Sequence, residues 1–462
     1  MIMVSSRTSS RPYKKRRRLK KGVRRGCLTI FFFILIFVGL AVYECQRKAH
    51  QLELSAYSNS IGPDQTDTLV IEQLSNVIHR PEFTDTNKLA ICVYDLTRQC
   101  SILKYHSDRL MIPASCMKLL TAITAYHRLG VDHVYQNNLY VQGTIKNGTL
   151  CGDLILSLDD DPHLESFQFF IDALQRRGIR HIEGGIIFDL VRTDTLRQHA
   201  TASLWDIPYS QVPLLMKGEK RIRQDFMYML SLADITYHRN PLFTDSWLLG
   251  LDPTKSPQEY RLALKSACRG AKLLCQQTHT LREVVAPMLI FSSNVKAESV
   301  FYHTNHVYDR WGGGSKEDNY SVKTFIREEM CQDPDAMGYV INDGSGLSPE
   351  NRLTADFLVQ LLEYAYHNEE IFNILIHESL ATPGEGSRCG SLMGRMLEPV
   401  FQDHIFAKTG TLTTLGVSSL SGYARGADGR WLAFSIINED SPVYDSRVFQ
   451  DRVCKALVSP VQ

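Results

Sequence analysis

Residues 404–438 read HIFAKTGTLTTLGVSSLSGYARGADGRWLAFSIIN, and two short breaks divide them into three strands. HIFAKTGTL, VSSLSGYAR and WLAFSIIN are rich in β-branched and aromatic residues. Thr414-Leu415-Gly416 and Gly426-Ala427-Asp428-Gly429 between them are turn sequences, the pattern of an antiparallel meander. A helix over SRVFQDRVCKALV follows. Far upstream, residues 88–95 (KLAICVYD) and 100–105 (CSILKY), joined by Leu96-Thr97-Arg98-Gln99, predict a hairpin. With a hairpin, a meander and helices between them, the fold class is α+β.

Working inward, Pro113-Ala114-Ser115 leads into SCMKLLTAITAYHRLG. Met117, Leu120, Ile123 and Leu129 fall near helical spacing there and Gly130 supplies a stop, so Ser115 is expected at a helix start. Residues 139–190 alternate strand-like runs (NLYVQGTI, GDLILSLD, HIEGGIIFDL) with a helix over FQFFIDALQRRG, a small α/β unit. The pattern weakens between 192 and 280, and helical character returns in LREVVAPMLIFSSNVKAESVFYHT.

With 462 residues, 44% of them apolar, the chain has room for one large domain and a smaller one, and its composition is not that of a disordered protein. The net charge of +1 conceals an asymmetry, because Arg11, Lys14, Lys15, Arg16, Arg17, Arg18, Lys20, Lys21, Arg24 and Arg25 crowd the start and leave the remainder acidic. The apolar stretch at 27–43 (CLTIFFFILIFVGLAVY) comes directly after this run. The expectation is a single transmembrane helix of roughly 25 Å with its basic flank in the cytoplasm. A cleaved signal peptide would need a small-x-small site, which the sequence lacks here, and a nucleic-acid role would need further basic patches downstream. Residues 44–81 are polar and aperiodic and read as a stem. Eleven cysteines show no zinc-ligand spacing, so no metal is expected. Cys92 and Cys100 flank a turn and either face each other across the hairpin or are free buried thiols.

Ser-x-x-Lys recurs in the chain, at Ser115/Lys118 and again at Ser293/Lys296, so the motif alone decides little. On a helix the first pair shares one face, which brings an amine to a hydroxyl. Such a lysine takes a proton only if burial or a nearby cation lowers its pKa, and Lys408 is a candidate for that cation. Backbone N–H groups at the helix start point toward any anion formed at Ser115. Ser292-Ser293-Asn294 then supplies Ser-x-Asn and Lys408-Thr409-Gly410 the only Lys-Thr-Gly, in the order found in penicillin-binding proteins and class A β-lactamases. In such a site Ser115, Lys118 and Ser292 do the chemistry, Ser292 relaying a proton to the leaving amine. Asn294 holds the substrate amide and Lys118, Lys408 and Thr409 bind a terminal carboxylate, Gly410 allows close approach to the strand, and Thr411 offers a second oxyanion N–H.

IPASCMKLLTA, GDLILSLDDDPHL, IEGGIIFD, SSNVKAES, DGSGLSPENRLTA, FAKTGTLTTLGVSSLSGYA and DGRWLAFSIIN together resemble the DacB, or penicillin-binding protein 4-type, D-alanyl-D-alanine carboxypeptidases of serine peptidase family S13. The resemblance runs from about residue 86 to the end, with a gap near 192–280. It implies a transpeptidase-like catalytic domain over 86–138 and 280–462, interrupted by an insertion domain at 139–279. Residues 1–26, 27–43 and 44–85 would be tail, anchor and stem, with the catalytic part in the periplasm. It further implies cleavage of terminal D-alanine from peptidoglycan peptides, often with cleavage of cross-links, acylation by β-lactams and no cofactor. Asp343, in Asp343-Gly344-Ser345-Gly346, is a further candidate for the site, against a turn-only role.

Three departures stand out. Asp159-Asp160-Asp161-Pro162, with His163 and Glu165 close by, replaces a glycine-rich turn and reads as an acidic solvent-facing loop, against a cation site. Ser293 takes the place of the usual aspartate, and Cys116, after the nucleophile, reads as a small packing residue. The rival functions are a β-lactamase, for which no deacylating base or Tyr-x-Asn is apparent, and a silent wall-binding protein, for which a motif residue should be missing. The balance of carboxypeptidase and endopeptidase activity, and the oligomeric state, are not legible in the sequence.

Overall fold

The computed structural model describes residues 65–78, 88–159, 161–190, 214–245, 270–312 and 319–459. The basic run and the apolar stretch at 27–43 lie outside these residues. No helix among the described residues is long and apolar enough to cross a membrane.

Part of the expected stem is ordered. Residues Gln65–Ile78 form helix α1, whose Val70 and Leu74 are buried, so the polar stem does not extend to 85. The four-residue spacing of those two side chains places them on one helix face, a signal masked by polar neighbours.

Strands β1 (Leu89–Asp95) and β2 (Cys100–Tyr105) join β10 (Ile405–Leu412), β11 (Val417–Arg425) and β12 (Trp431–Asn438) in an antiparallel sheet of order β10-β11-β12-β1-β2. All but one residue of β11 is buried, because helices cover both faces. One face carries α1 and the last helix of the chain; the other carries the helical body beginning with α2 (Met117–Leu129). That two-sided cover explains why VSSLSGYAR does not alternate apolar with polar. Two of its serines are hydrogen-bonded in the interior, Ser421 Oγ to Ser435 Oγ of the neighbouring strand at 2.9 Å and Ser418 Oγ as acceptor to Gln450 Nε2 of the last helix at 3.1 Å. Asp95 pairs with Cys100 and Cys92 with Lys104, so the two cysteines do not oppose each other; both are free and buried.

Ten of the thirteen residues of α2, from Met117 to Tyr126, are buried. Burying each large apolar side chain contributes roughly 2 kcal/mol, so this helix is fixed by packing rather than by propensity. It stops at Gly130, whose φ of +87° a residue with a Cβ would adopt only with strain.

A second sheet follows, built from β3 (Val134–Lys146), β4 (Thr149–Leu158), β5 (His181–Ile182), β6 (Ile186–Leu190), β7 (Thr236–Tyr237), β8 (Leu242–Asp245) and β9 (Ala271–Thr280). β3 lies between β4 and β9 and is antiparallel to both, whereas β5 and β6 add to β4 in parallel and carry β7 and β8. Helices α3 (Gln168–Arg176) and α4 (Glu219–Leu232) cover it with a core of its own around Phe167, Phe188 and Phe226. Its first strand begins at Val134, five positions before the expected edge at 139. The sheet leaves where it enters, since Val134 pairs with Thr280 and the Leu281 N–H donates to His133 O at 2.8 Å. Helices α5 (Leu281–Ile290) and α6 (Asn294–Gly312) then pack on α2, with Phe291-Ser292-Ser293 breaking what the sequence suggested as one helical region. Helices α7 (Tyr320–Glu328), α8 (Ala355–His367) and α9 (Val443–Val458) complete the described elements used below.

Candidate active site

Ser115 sits in a single 3-10 turn, Ala114–Cys116, that runs into α2. Ala114 holds a left-handed φ of +45° and is fully buried. That conformation costs an alanine about 1 kcal/mol, so surrounding contacts must impose it. Cys116 Sγ lies 3.2 Å from Lys408 O, and Ser419 Oγ donates to Pro113 O at 2.7 Å, which ties the turn to β10 and β11. Cys116 is a packing residue, as its reading suggested.

Lys118 is the centre of the arrangement. Its Nζ lies 2.9 Å from Ser115 Oγ, 2.7 Å from Asn294 Oδ1 and 2.6 Å from Ser345 O. The side chain is wholly buried, and burial followed by the like charge of Lys408 holds its pKa well below that of a free lysine. Two of the three partners are carbonyl oxygens, which only accept. A neutral amine has two hydrogens for them and one lone pair left, and that lone pair faces the serine hydroxyl.

The Ser345 carbonyl belongs to the buried Asp343-Gly344-Ser345-Gly346 loop that the resemblance singled out, and a residue outside the three catalytic motifs holds it. Glu298, one helical turn after Asn294 on α6, accepts from Ser345 N at 2.9 Å and Gly344 N at 3.4 Å. Burial and the neighbouring Asp343 carboxylate push its carboxyl up to about 7. Thr121 Oγ1, one turn after Lys118, donates to Gly344 O at 2.7 Å. Asp343 spends its carboxylate on Gly346 N (2.6 Å), Ser348 N (2.6 Å) and Asn351 Nδ2 (2.9 Å), which is the turn-forming role. Gly346 has a φ of +80°, and a Cβ on it would stand 1.8 Å from Ala114 O. The loop thus presses on the turn that carries Ser115.

β10 is the outer strand of its sheet. Ala407 N donates outward to Ala381 O at 2.9 Å, and peptide directions alternate along a strand, so the amides of Thr409 and Thr411 also face the outer edge. Lys408 is fully buried; its Nζ donates to Thr409 O at 2.7 Å, and burial lowers its pKa to about 8. A Cβ on Gly410 would meet Ser419 Oγ at 2.1 Å and Pro113 O at 2.9 Å. The glycine therefore makes room for the protein's own turn. Thr411 Oγ1 accepts from Arg447 Nη2 on α9 at 3.2 Å.

Ser115, Lys118 and Asn294 are thus in direct contact, with Lys408 near enough to act on Lys118 by its charge. Ser292 lies two residues before Asn294 in the break between α5 and α6, with a φ of +59°. The Ser293/Lys296 pair differs in character: Ser293 Oγ accepts from the Lys296 amide at 3.4 Å, and the Lys296 amine is acted on by its burial and then by Asp161 and Glu165. The acidic loop is corrected as well. Asp161 is buried and accepts from Asn137 Nδ2 (2.7 Å) and His163 N (2.8 Å), and its Oδ2 lies 2.6 Å from His279 Nδ1, so it does not face solvent. No group of three or more candidate metal ligands occurs among the described residues.

Comparison with known proteins follows the same lines. The family model described as "D-Ala-D-Ala carboxypeptidase 3 (S13) family" matches residues 70–210 and 261–456. The D-alanyl-D-alanine carboxypeptidase DacB of Haemophilus influenzae is 22% identical over 403 residues, covering 72% of this chain and 81% of that protein. The D-alanyl-D-alanine carboxypeptidase of Actinomadura sp. (strain R39) is 36% identical over 172 residues, 36% of this chain and 30% of that protein. Among solved structures, penicillin binding protein 4 (dacB) from Haemophilus influenzae superposes with a TM-score of 0.61 at 18% identity, over 82% of this chain and 97% of that one. Bd3459, described as a predatory peptidoglycan endopeptidase from Bdellovibrio bacteriovorus, gives 0.51 at 16% identity, over 76% and 86%. The two superpositions establish the fold.

Proposed function

Because the chain belongs to the D-Ala-D-Ala carboxypeptidase 3 (S13) family, we propose that it removes the C-terminal D-alanine of peptidoglycan stem peptides through an ester on Ser115. The observation that carries this reading is the Lys118 amine, buried, depressed in pKa and confined between two carbonyl oxygens and the Ser115 hydroxyl.

In this mechanism Ser115 Oγ attacks the carbonyl carbon of the penultimate residue as its proton passes to Lys118. The oxyanion is met by N–H groups at the start of the helix and by the Thr411 N–H on the open edge. The C–N bond breaks, the leaving D-alanine nitrogen takes the proton by way of Ser292, and the ester remains. Water, deprotonated by Lys118, attacks that ester and frees Ser115. Lys408 and Thr409 hold the terminal carboxylate, and Asn294 the substrate amide. A β-lactam follows the first step only, since its opened ring stays attached and blocks the water. The names of the relatives support this class of substrate and inhibitor.

The location is part of the proposal. A basic run followed by the apolar residues 27–43 supports one inner-membrane anchor with the catalytic part in the periplasm, where peptidoglycan lies. The test is product analysis: purified protein added to pentapeptide muropeptides is expected to release free D-alanine and leave tetrapeptides. Intact pentapeptides, with a folded protein, would refute the reading.

A pH dependence follows from the two lysines. Lys118 works neutral, so kcat/KM should rise as pH climbs through its lowered pKa. Lys408 binds the carboxylate as a cation, so the rate should fall again as pH passes about 8. Penicillin acylation rates from pH 5 to 10 would show this bell; a rate still climbing above pH 9 would exclude the role given to Lys408.

A further inference from the structure

Arg447 stands on α9, with its guanidinium at the surface beside the edge strand of the site. Its side chain makes one hydrogen bond among the described residues, to Thr411 Oγ1 at 3.2 Å. Asp451, one turn further along the helix, acts on it by charge without an ion pair, and its Oδ1 is held by Arg395 through Nε at 3.0 Å and Nη2 at 2.6 Å. Arg395 also donates to the Arg447 carbonyl at 3.3 Å, which holds a second cation close by. A guanidinium carries five donors in a planar fork suited to a carboxylate. Here it has a single hydroxyl partner and no carboxylate within ion-pair distance among the described residues. The hydroxyl belongs to Thr411, whose side chain shares a strand face with that of Thr409 and whose peptide faces the open edge.

We propose that Arg447 binds the terminal carboxylate of the substrate together with the hydroxyls of Thr409 and Thr411, and thereby makes the site choose a C-terminal peptide bond over an internal one. The inference rests on the acyl-enzyme reading above. On binding, the guanidinium exchanges the Thr411 hydroxyl for a carboxylate oxygen, and Thr411 turns its own hydroxyl to the same ligand. An internal bond, which has an amide at that place, gains nothing from the cation.

The test compares acylation of the full-length chain by a penicillin and by its methyl ester, which open the same ring and differ only in the carboxylate. Wild type should prefer the free acid. Arg447→Ala should reduce the acid-to-ester rate ratio by about 30-fold, the loss of one charge-assisted interaction, and Arg447→Lys by less. The ratio is internal to each variant, so a partly misfolded preparation, slow toward both, does not mimic the effect. An unchanged ratio in Arg447→Ala overturns the assignment while leaving the Ser115 ester intact. No acylation of wild type by either compound removes the acyl-enzyme reading, and this inference with it.

Discussion

Ser115→Ala is expected to abolish labelling by fluorescent penicillin and to lower D-alanine release by at least about 10,000-fold, because no second nucleophile touches Lys118. Its melting temperature should stay near that of wild type. The substitution removes one oxygen, and the Lys118 amine keeps Asn294 Oδ1 and Ser345 O as partners. Lys118→Ala should leave the hydroxyl present but slow acylation by about a thousandfold, the scale of a lost general base. Labelling that survives in Ser115→Ala would remove the serine from the mechanism. A Lys118→Ala enzyme whose rate is near normal at pH 7 would do the same for the lysine.

The second large effect is expected at Glu298, which lies in SSNVKAES but in none of the three catalytic motifs. Glu298→Ala would leave the buried amides of Gly344 and Ser345 without an acceptor and open a cavity, at a cost of about 3 kcal/mol in stability. The Ser345 carbonyl would lose its support, so kcat should fall more than KM changes. Glu298→Gln, which keeps one acceptor, should recover part of both. The carboxyl also has a pH signature. Its folded pKa is raised toward about 7 from 4.5, so the folded state holds that proton more tightly than the unfolded chain. Its contribution is therefore greatest at low pH and declines as pH rises through that window. Chemical denaturation at pH 5 and pH 8 should show a smaller difference in Glu298→Gln than in wild type. An equal difference in the two would assign the pH dependence to other groups.

These two residues mark what can be read from a sequence of this kind. The meander, the hairpin and the helix after Ser115 announce themselves through residue types and breakers that act locally. The Ser115–Lys118 contact also follows from helical spacing alone. The Asn294 contact required the order of three separated motifs, because nothing local says which two helices pack. Glu298 had a local signal, one helical turn after Asn294, but its meaning depends on a loop 46 residues downstream. Asp161 was misread for a related reason: three acidic residues in succession look solvent-facing until Asn137 and His279, on two other strands, are seen to close over one of them. The short parallel strands β7 and β8 were invisible, being two and four residues long.

The paired exit of the second sheet, where His133 O meets the Leu281 amide, bears on the order of assembly. Helices α2 and α5 must find each other across residues 134–280, and a flexible loop of that length imposes an entropic cost that grows with the logarithm of its length. If the sheet forms first, its two ends are already neighbours, and the closure that remains is that of a short turn. The difference amounts to roughly 4 kcal/mol of chain entropy removed from the search that brings Lys118 to Asn294.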